Sequence, residues 1–194
     1  MSISGRLTAK GAALLIIDVQ DKLLQKMVKG PLVVANAVRL IKAAHLLGIP
    51  TMATEQYPKG LGPTNSAVAE LIPRRSEKTA FHCYAVAPIF EELWSKPIKH
   101  VALVGIEAHI CVSQTALELL SQNFSVQIVA DAVASRHDFD AEIALRRLER
   151  AGAIITTTEA VLFEWIETAE HPHFKEISDL VTKFEAPVTL KPIA

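Results

Sequence analysis

Hydrophobic and polar positions fall in blocks along the chain, and the blocks switch between two periods. Ala12 to Ile17 is an unbroken apolar run that stops at Asp18. Such a run predicts a strand buried on both faces, as in a parallel sheet. Val19, Gln20 and Asp21 lead into an amphipathic stretch that Lys29-Gly30-Pro31 breaks. From Val33 to Leu47 apolar residues recur at helical spacing, with Arg39 and Lys42 on the other face. Gly48 and Pro50 supply the stop, and Thr51 to Thr54 predicts a second strand.

Glu55 to Thr64 holds two prolines and two glycines and reads as a loop. Ser66 to Ile72 predicts a short helix, Arg74 to Phe81 a charged turn with a short strand, and Pro88 to Trp94 a further helix with Trp94 in the core. Val101 to Val104 predicts a buried strand broken by Gly105. Beyond it, Cys111, Thr115, Leu119 and Val112, Ala116, Leu120 recur at helical spacing, so the thiol is expected where a strand has ended and a helix begins. Val126 to Ala130, ending in Asp131, and Ile154 to Thr157 predict the last strands. The helix between them is expected to be capped by Asp138 or Asp140, to run to Ala151 and to stop at Gly152, with Arg146, Arg147 and Arg150 on a solvated face. Glu159 to Ala169 and Phe174 to Phe184 predict terminal helices.

Strands alternating with helices predict a three-layer α/β/α, Rossmann-like domain with a mainly parallel sheet and right-handed crossovers. One domain over residues 1–194 is expected, with 1–11 an N-terminal extension and 185–194 an irregular tail suited to reach a neighbouring subunit. No repeat, low-complexity tract or linker interrupts it.

Composition narrows the function classes. Half of the 194 residues are hydrophobic, which excludes a disordered chain. Twenty basic residues against 21 acidic ones give a net charge of −1 and count against a general nucleic-acid binder. Two cysteines are too few for a disulfide framework and fit a reducing, intracellular compartment, the cytoplasm first, with an organelle left open. No apolar run of about 18 residues predicts a membrane span, and the N-terminus carries no signal-peptide core.

The chain has no G-x-G-x-x-G, Walker A, G-x-S-x-G or C-x-x-C motif. His171-Pro172-His173 reads as a turn before a helix rather than a metal site, and Cys83 as a structural thiol. What remains is Asp18, Lys78 and Cys111. The carboxyl ends of strands are where open α/β sheets bind ligands. A helix start favours a thiolate. A carboxylate beside the thiol can take its proton, and a lysine can hold that charge in an apolar pocket. Taken singly, Asp18 also suits a helix cap, Lys78 a surface position and Cys111 an ordinary buried cysteine.

The segments LLIIDVQ, EKTAF and GIEAHICVSQTA, in that order, resemble the isochorismatase-like cysteine hydrolase superfamily. The resemblance runs from about Ala12 to Leu180, and TEQYPKGLGPT and HPHFKEI are similar to its isochorismatase domain-containing branch. It implies a six-stranded sheet with a pocket at its carboxyl edge. It implies Asp18 as general base, Lys78 as its charge partner and Cys111 as nucleophile. A cis peptide at Ile106-Glu107 is implied too, turning the Glu107 N–H to form an oxyanion hole with the Cys111 N–H. Gln20, Glu55, Gln56, Tyr57, Phe81 and His109 are the candidate pocket walls.

Two departures matter. Nicotinamidases of the superfamily bind a metal through an Asp-x-His motif after the second strand, whereas this loop reads Thr54-Glu55-Gln56-Tyr57, so no metal and no cofactor are expected. Isochorismate hydrolases do not use a cysteine nucleophile, so Cys111 argues against that reaction. The expected activity is thioester-forming hydrolysis of a small amide or related carbonyl compound by a homo-oligomer, with no nucleic-acid or membrane partner. The alternatives are a catalytically silent binding or scaffold protein on the same fold, and a nucleic-acid enzyme.

Overall fold

A computed structural model describes residues 6–187. Its sheet has six strands: β1 (Ala12–Ile17), β2 (Thr51–Gln56), β3 (Ser76–Lys78), β4 (His100–Ile106), β5 (Ser125–Ala134) and β6 (Ile154–Thr156). They lie in the order β3-β2-β1-β4-β5-β6, and every strand pairing is parallel. The strand order reverses between β1 and β4, and the crevice at such a switch point is where doubly wound sheets bind ligands.

Side chains alternate across a strand, so each buried strand feeds two cores. Leu14 and Ile16 of β1 pack with Val33, Ala37 and Leu40 of α2 (Gly30–Leu46). Val161 and Trp165 of α8 (Thr158–Ile166) and Ile177 of α9 (Phe174–Thr182) complete that side. Leu15 and Ile17 face the other way, toward α5 (Ala87–Ser95), α6 (Ser113–Ser121) and α7 (Asp138–Arg150). This is a three-layer α/β/α arrangement. Single-turn helices α1 (Asp21–Leu24), α3 (Pro58–Leu61) and α4 (Ser66–Ala69) lie in the connections.

Several boundaries differ from the sequence pattern for identifiable reasons. Gly30-Pro31 opens α2 instead of breaking the chain, since proline at a first helical position lacks only an N–H that has no partner there. β2 continues through Glu55 and Gln56, which pair with Glu77 and Lys78, so the loop starts later and contains α3. β4 passes through Gly105 to Ile106. Gly105 has φ +116°, and a Cβ there would stand 2.0 Å from the Ile17 carbonyl oxygen, so glycine marks a close backbone approach. β5 runs on past Asp131 to Ala134, and Asp131 Oδ1 accepts from the N–H and hydroxyl of Thr158.

No side chain caps α7; His137 is at its N-cap, and Asp138 and Asp140 lie in its first turn, where carboxylates complement the helix dipole. The α-helix after β4 begins at Ser113, and Cys111 belongs to a π-helical turn, Ala108–Val112. Trp94 is 55% exposed and not a core residue; it meets Tyr84 and Phe90 edge to face. The irregular tail is seen at 185–187; residues 188–194, like 1–5 of the extension, lie outside the described residues. Among the described residues no helix is long and apolar enough to cross a membrane.

Candidate active site

Asp18 follows β1 directly, with φ +53°. That left-handed backbone is uncommon outside glycine, is best tolerated by Asp and Asn, and clusters at functional sites at about 1–3 kcal/mol each. Lys78 ends β3, two strands away. Cys111 sits in the π-helical turn after β4, the kind of helix irregularity that often marks a functional site. In that turn the Ser113 hydroxyl donates to the Ala108 carbonyl at 2.7 Å. The Ile106-Glu107 peptide is cis.

The three side chains meet. Lys78 Nζ donates to Asp18 Oδ2 at 2.6 Å and lies 3.5 Å from Cys111 Sγ. It also donates to Gln56 Oε1 at 2.6 Å. The other carboxylate oxygen, Asp18 Oδ1, accepts from the Thr54 hydroxyl at 2.7 Å. Asp18 is fully buried and Cys111 is 6% exposed.

Burial dominates the electrostatics. It pushes the Cys111 thiol up to about 12, and the nearby Asp18 carboxylate raises it further while Lys78 opposes both. Burial thus favours the thiol, against the thiolate that a helix start alone would favour. For Lys78 burial acts to lower the pKa, but Asp18 first and Cys111 next outweigh it and hold the ammonium above its ordinary range. The sulfur, the carboxylate and the ammonium form one buried cluster at the strand ends.

A cavity of about 360 Å³ meets this group at Lys78, lined by Tyr57, Pro58, Lys59, Glu77, Lys78, Thr79, Ala80 and Ala85; Asp18 and Cys111 lie behind Lys78 and are not in its wall. Tyr57, at φ +38°, lays its ring against Gly60, where a Cβ would come within 2.4 Å of the ring. Of the sequence-derived wall residues, only Tyr57 is in this lining. Gln20 is fully buried and clamps the strand end, accepting from Gln56 N and donating to the Gln56 and Gly62 carbonyls. Glu55 Oε1 accepts from the Thr64 N–H and hydroxyl and from Arg75. Gln56 holds Lys78 through Oε1 and donates to the Thr79 carbonyl through Nε2. Phe81 is exposed, and His109 Nδ1 lies 2.8 Å from Ser135 Oγ. Glu107 binds the N–H and Nε of Arg136, tying the turn after β4 to the end of β5.

The strand-end residues do not fit the metal site of the nicotinamidases. Thr54 is committed to Asp18 and Glu55 to Thr64 and Arg75, and the position two residues after Thr54 is Gln56, which holds Lys78, not a histidine. Sequence reading missed Thr54, Arg136, Ser135 and the cavity residues Lys59, Glu77 and Ala85. For Thr54 the signal was present: it ends the apolar part of β2, the strand beside the one that Asp18 follows.

A family model described as Isochorismatase domain matches residues 12–160. Isochorismatase domain-containing protein 2 of Danio rerio is 41% identical over 177 residues, spanning 91% of this chain and 90% of that protein. The protein of the same name from Homo sapiens is 38% identical over 179 residues, spanning 91% and 86%. A solved structure described as the MAR1 ribonuclease from Caenorhabditis elegans is 39% identical, with a TM-score of 0.88 over 97% of this chain and 98% of that one.

Proposed function

Because the chain belongs to the isochorismatase family, we propose that it is a cysteine hydrolase acting on a small amide or related carbonyl compound without a metal. The observation that carries this reading is the Lys78 ammonium in contact with both the Asp18 carboxylate, at 2.6 Å, and the Cys111 sulfur, at 3.5 Å.

With Asp18 as general base, the thiol proton passes to its carboxylate as sulfur bonds to the substrate carbonyl carbon. The carbonyl π pair moves to oxygen, where the backbone N–H groups of Glu107 and Cys111 are assigned to hold the oxyanion, at roughly 3 kcal/mol per donor. Collapse breaks the C–N bond, and Asp18 returns its proton to the departing amine. Water then gives a proton to Asp18 and its hydroxyl attacks the thioester. The C–S bond breaks, the sulfur recovers the proton, and the net reaction is amide plus water to acid plus amine. Lys78 pairs with the carboxylate and offsets the sulfur's charge as it develops. A cavity near 360 Å³ suits a small ligand, with Tyr57 offering an aromatic face and Lys59 and Glu77 charges of either sign.

The test is a screen of small amides, nitriles and esters, with covalent adducts located by mass spectrometry. An adduct on Cys111 and loss of turnover in Cys111→Ala are expected. Turnover that survives Cys111→Ala ends the nucleophile assignment.

One observation favours a second reading, RNA cleavage: the similarity to the protein described as MAR1 ribonuclease. In that reading Asp18 and Lys78 act on a phosphodiester as base and charge stabiliser. End-labelled RNA distinguishes it. Cleavage by the purified protein that is lost in Asp18→Asn and Lys78→Met supports it, and intact RNA or cleavage unaffected by both variants removes it.

A further inference from the structure

Thr54 and Cys83 belong to neither the sequence-derived site nor the cavity wall, yet both are buried against the same carboxylate. The Thr54 hydroxyl donates to Asp18 Oδ1 at 2.7 Å while Lys78 occupies Oδ2, so each carboxylate oxygen has a fixed donor. A hydroxyl has one proton to give, and an ionised carboxylate only accepts. The Thr54 proton is therefore spent on Asp18, and its remaining contact, Cys83 Sγ at 3.8 Å, supplies the next donor. Cys83 is held for this by its own N–H, which donates to Thr115 Oγ1 at 3.0 Å. Burial, with the Asp18 charge behind it, pushes the Cys83 thiol up to about 11, so it keeps a proton to donate.

Resting on the cysteine-hydrolase reading above, we infer that Thr54 is a positioning residue of the reaction: Cys83 S–H orients the Thr54 hydroxyl, which anchors Asp18 Oδ1 and leaves Oδ2 to serve the Lys78–Cys111 side. The chain runs from a turn at Cys83–Ala85 through β2 to the residue after β1. The charged and titratable groups that face Asp18 are Lys78 from β3, Cys111 from the π-helical turn and Cys83 from the turn at Cys83–Ala85. Thr54 supplies the hydroxyl donor beside them. Losing it leaves Asp18 Oδ1 without its hydroxyl donor. It also frees the carboxylate to turn away from the sulfur.

The test uses acrylamide as an electrophile and follows its adduct on Cys111 by mass spectrometry at neutral pH, so no substrate need be known. In full-length Thr54→Val the alkylation rate is expected to fall about tenfold relative to wild type. Thr54→Ser restores it, and Cys83→Ala lowers it by less. If Thr54→Val does not fold, Thr54→Ala compared with Thr54→Ser provides the same contrast. A wild-type rate in Thr54→Val, or no recovery in Thr54→Ser, overturns the inference. A wild-type rate in Asp18→Asn would instead sink the hydrolase reading itself, so the two failures are distinguishable.

Discussion

At the scale of single residues, the site is set by which buried charges are paired. Asp18 and Lys78 share a side-chain contact with only about 1% exposure on either side. Removing one partner of such a pair leaves an uncompensated charge, at about 3–5 kcal/mol, whereas replacing both costs far less. Urea unfolding should therefore show Lys78→Met strongly destabilised and Asp18→Asn/Lys78→Met partly recovered; additive losses would mean the pair is not coupled. Glu55 gives a pH signature. Burial opposes its ionisation, but the Thr64 N–H and hydroxyl and Arg75 outweigh burial and lower its pKa on folding. A carboxylate lowered in the folded state stabilises above its unfolded pKa, and the gain fades as pH falls through the folded value. Glu55→Gln should cost about 1–3 kcal/mol at pH 7, and the gap to wild type should shrink steadily below about pH 4, as measured by denaturant titration. A gap that is independent of pH would contradict the account. The three site residues were readable from their types and strand-end addresses, but what their neighbours do was not. Gln20 and Glu55 look like pocket polar groups in the sequence, and in the fold their hydrogen bonds are taken by the backbone of the Gln56–Thr64 connection and by Arg75.

At the scale of elements, the parallel pairing of β1 with β4 decides where Asp18 can stand. Ile17 and Gly105 are register partners, and the glycine admits the Ile17 carbonyl where any side chain would collide with it. Gly105→Ala should destabilise by at least about 3 kcal/mol or prevent folding, because both the positive φ and the 2.0 Å approach are violated. Circular dichroism melts read it directly, and a melting temperature within a degree or two of wild type would refute the close approach. Trp94→Ala, by contrast, should cost much less than a core tryptophan, under about 1.5 kcal/mol, because the ring is half exposed and only flanks Tyr84 and Phe90. The strand cores were legible because an apolar run has one cheap home, a sheet covered on both sides. The strand ends were not. Glu55 and Gln56 are polar yet remain in β2, because backbone pairing with β3 does not depend on side-chain polarity.

For the molecule as a whole, the exposed apolar residues bear on assembly. Phe139 and Ile143 are one turn apart on α7 and 71% and 46% exposed. Exposed apolar residues in contiguous patches mark interaction surfaces. We expect self-association, seen by light scattering as a mass that is a multiple of 21.1 kDa and that falls in Phe139→Asp/Ile143→Asp. A 21.1 kDa species at every concentration would rule it out.

The sequence by itself determined the alternation of buried strands and amphipathic helices, and with it the layered class, because hydrophobic period is a local property of the chain. It also determined which residue types stand at the strand ends. Only the tertiary structure decided that residues 54, 78, 83 and 111 gather around the Asp18 carboxylate, because strand order and register bring their elements side by side. It alone decided how strongly burial disfavours the thiolate, since desolvation depends on what the folded chain packs around the sulfur.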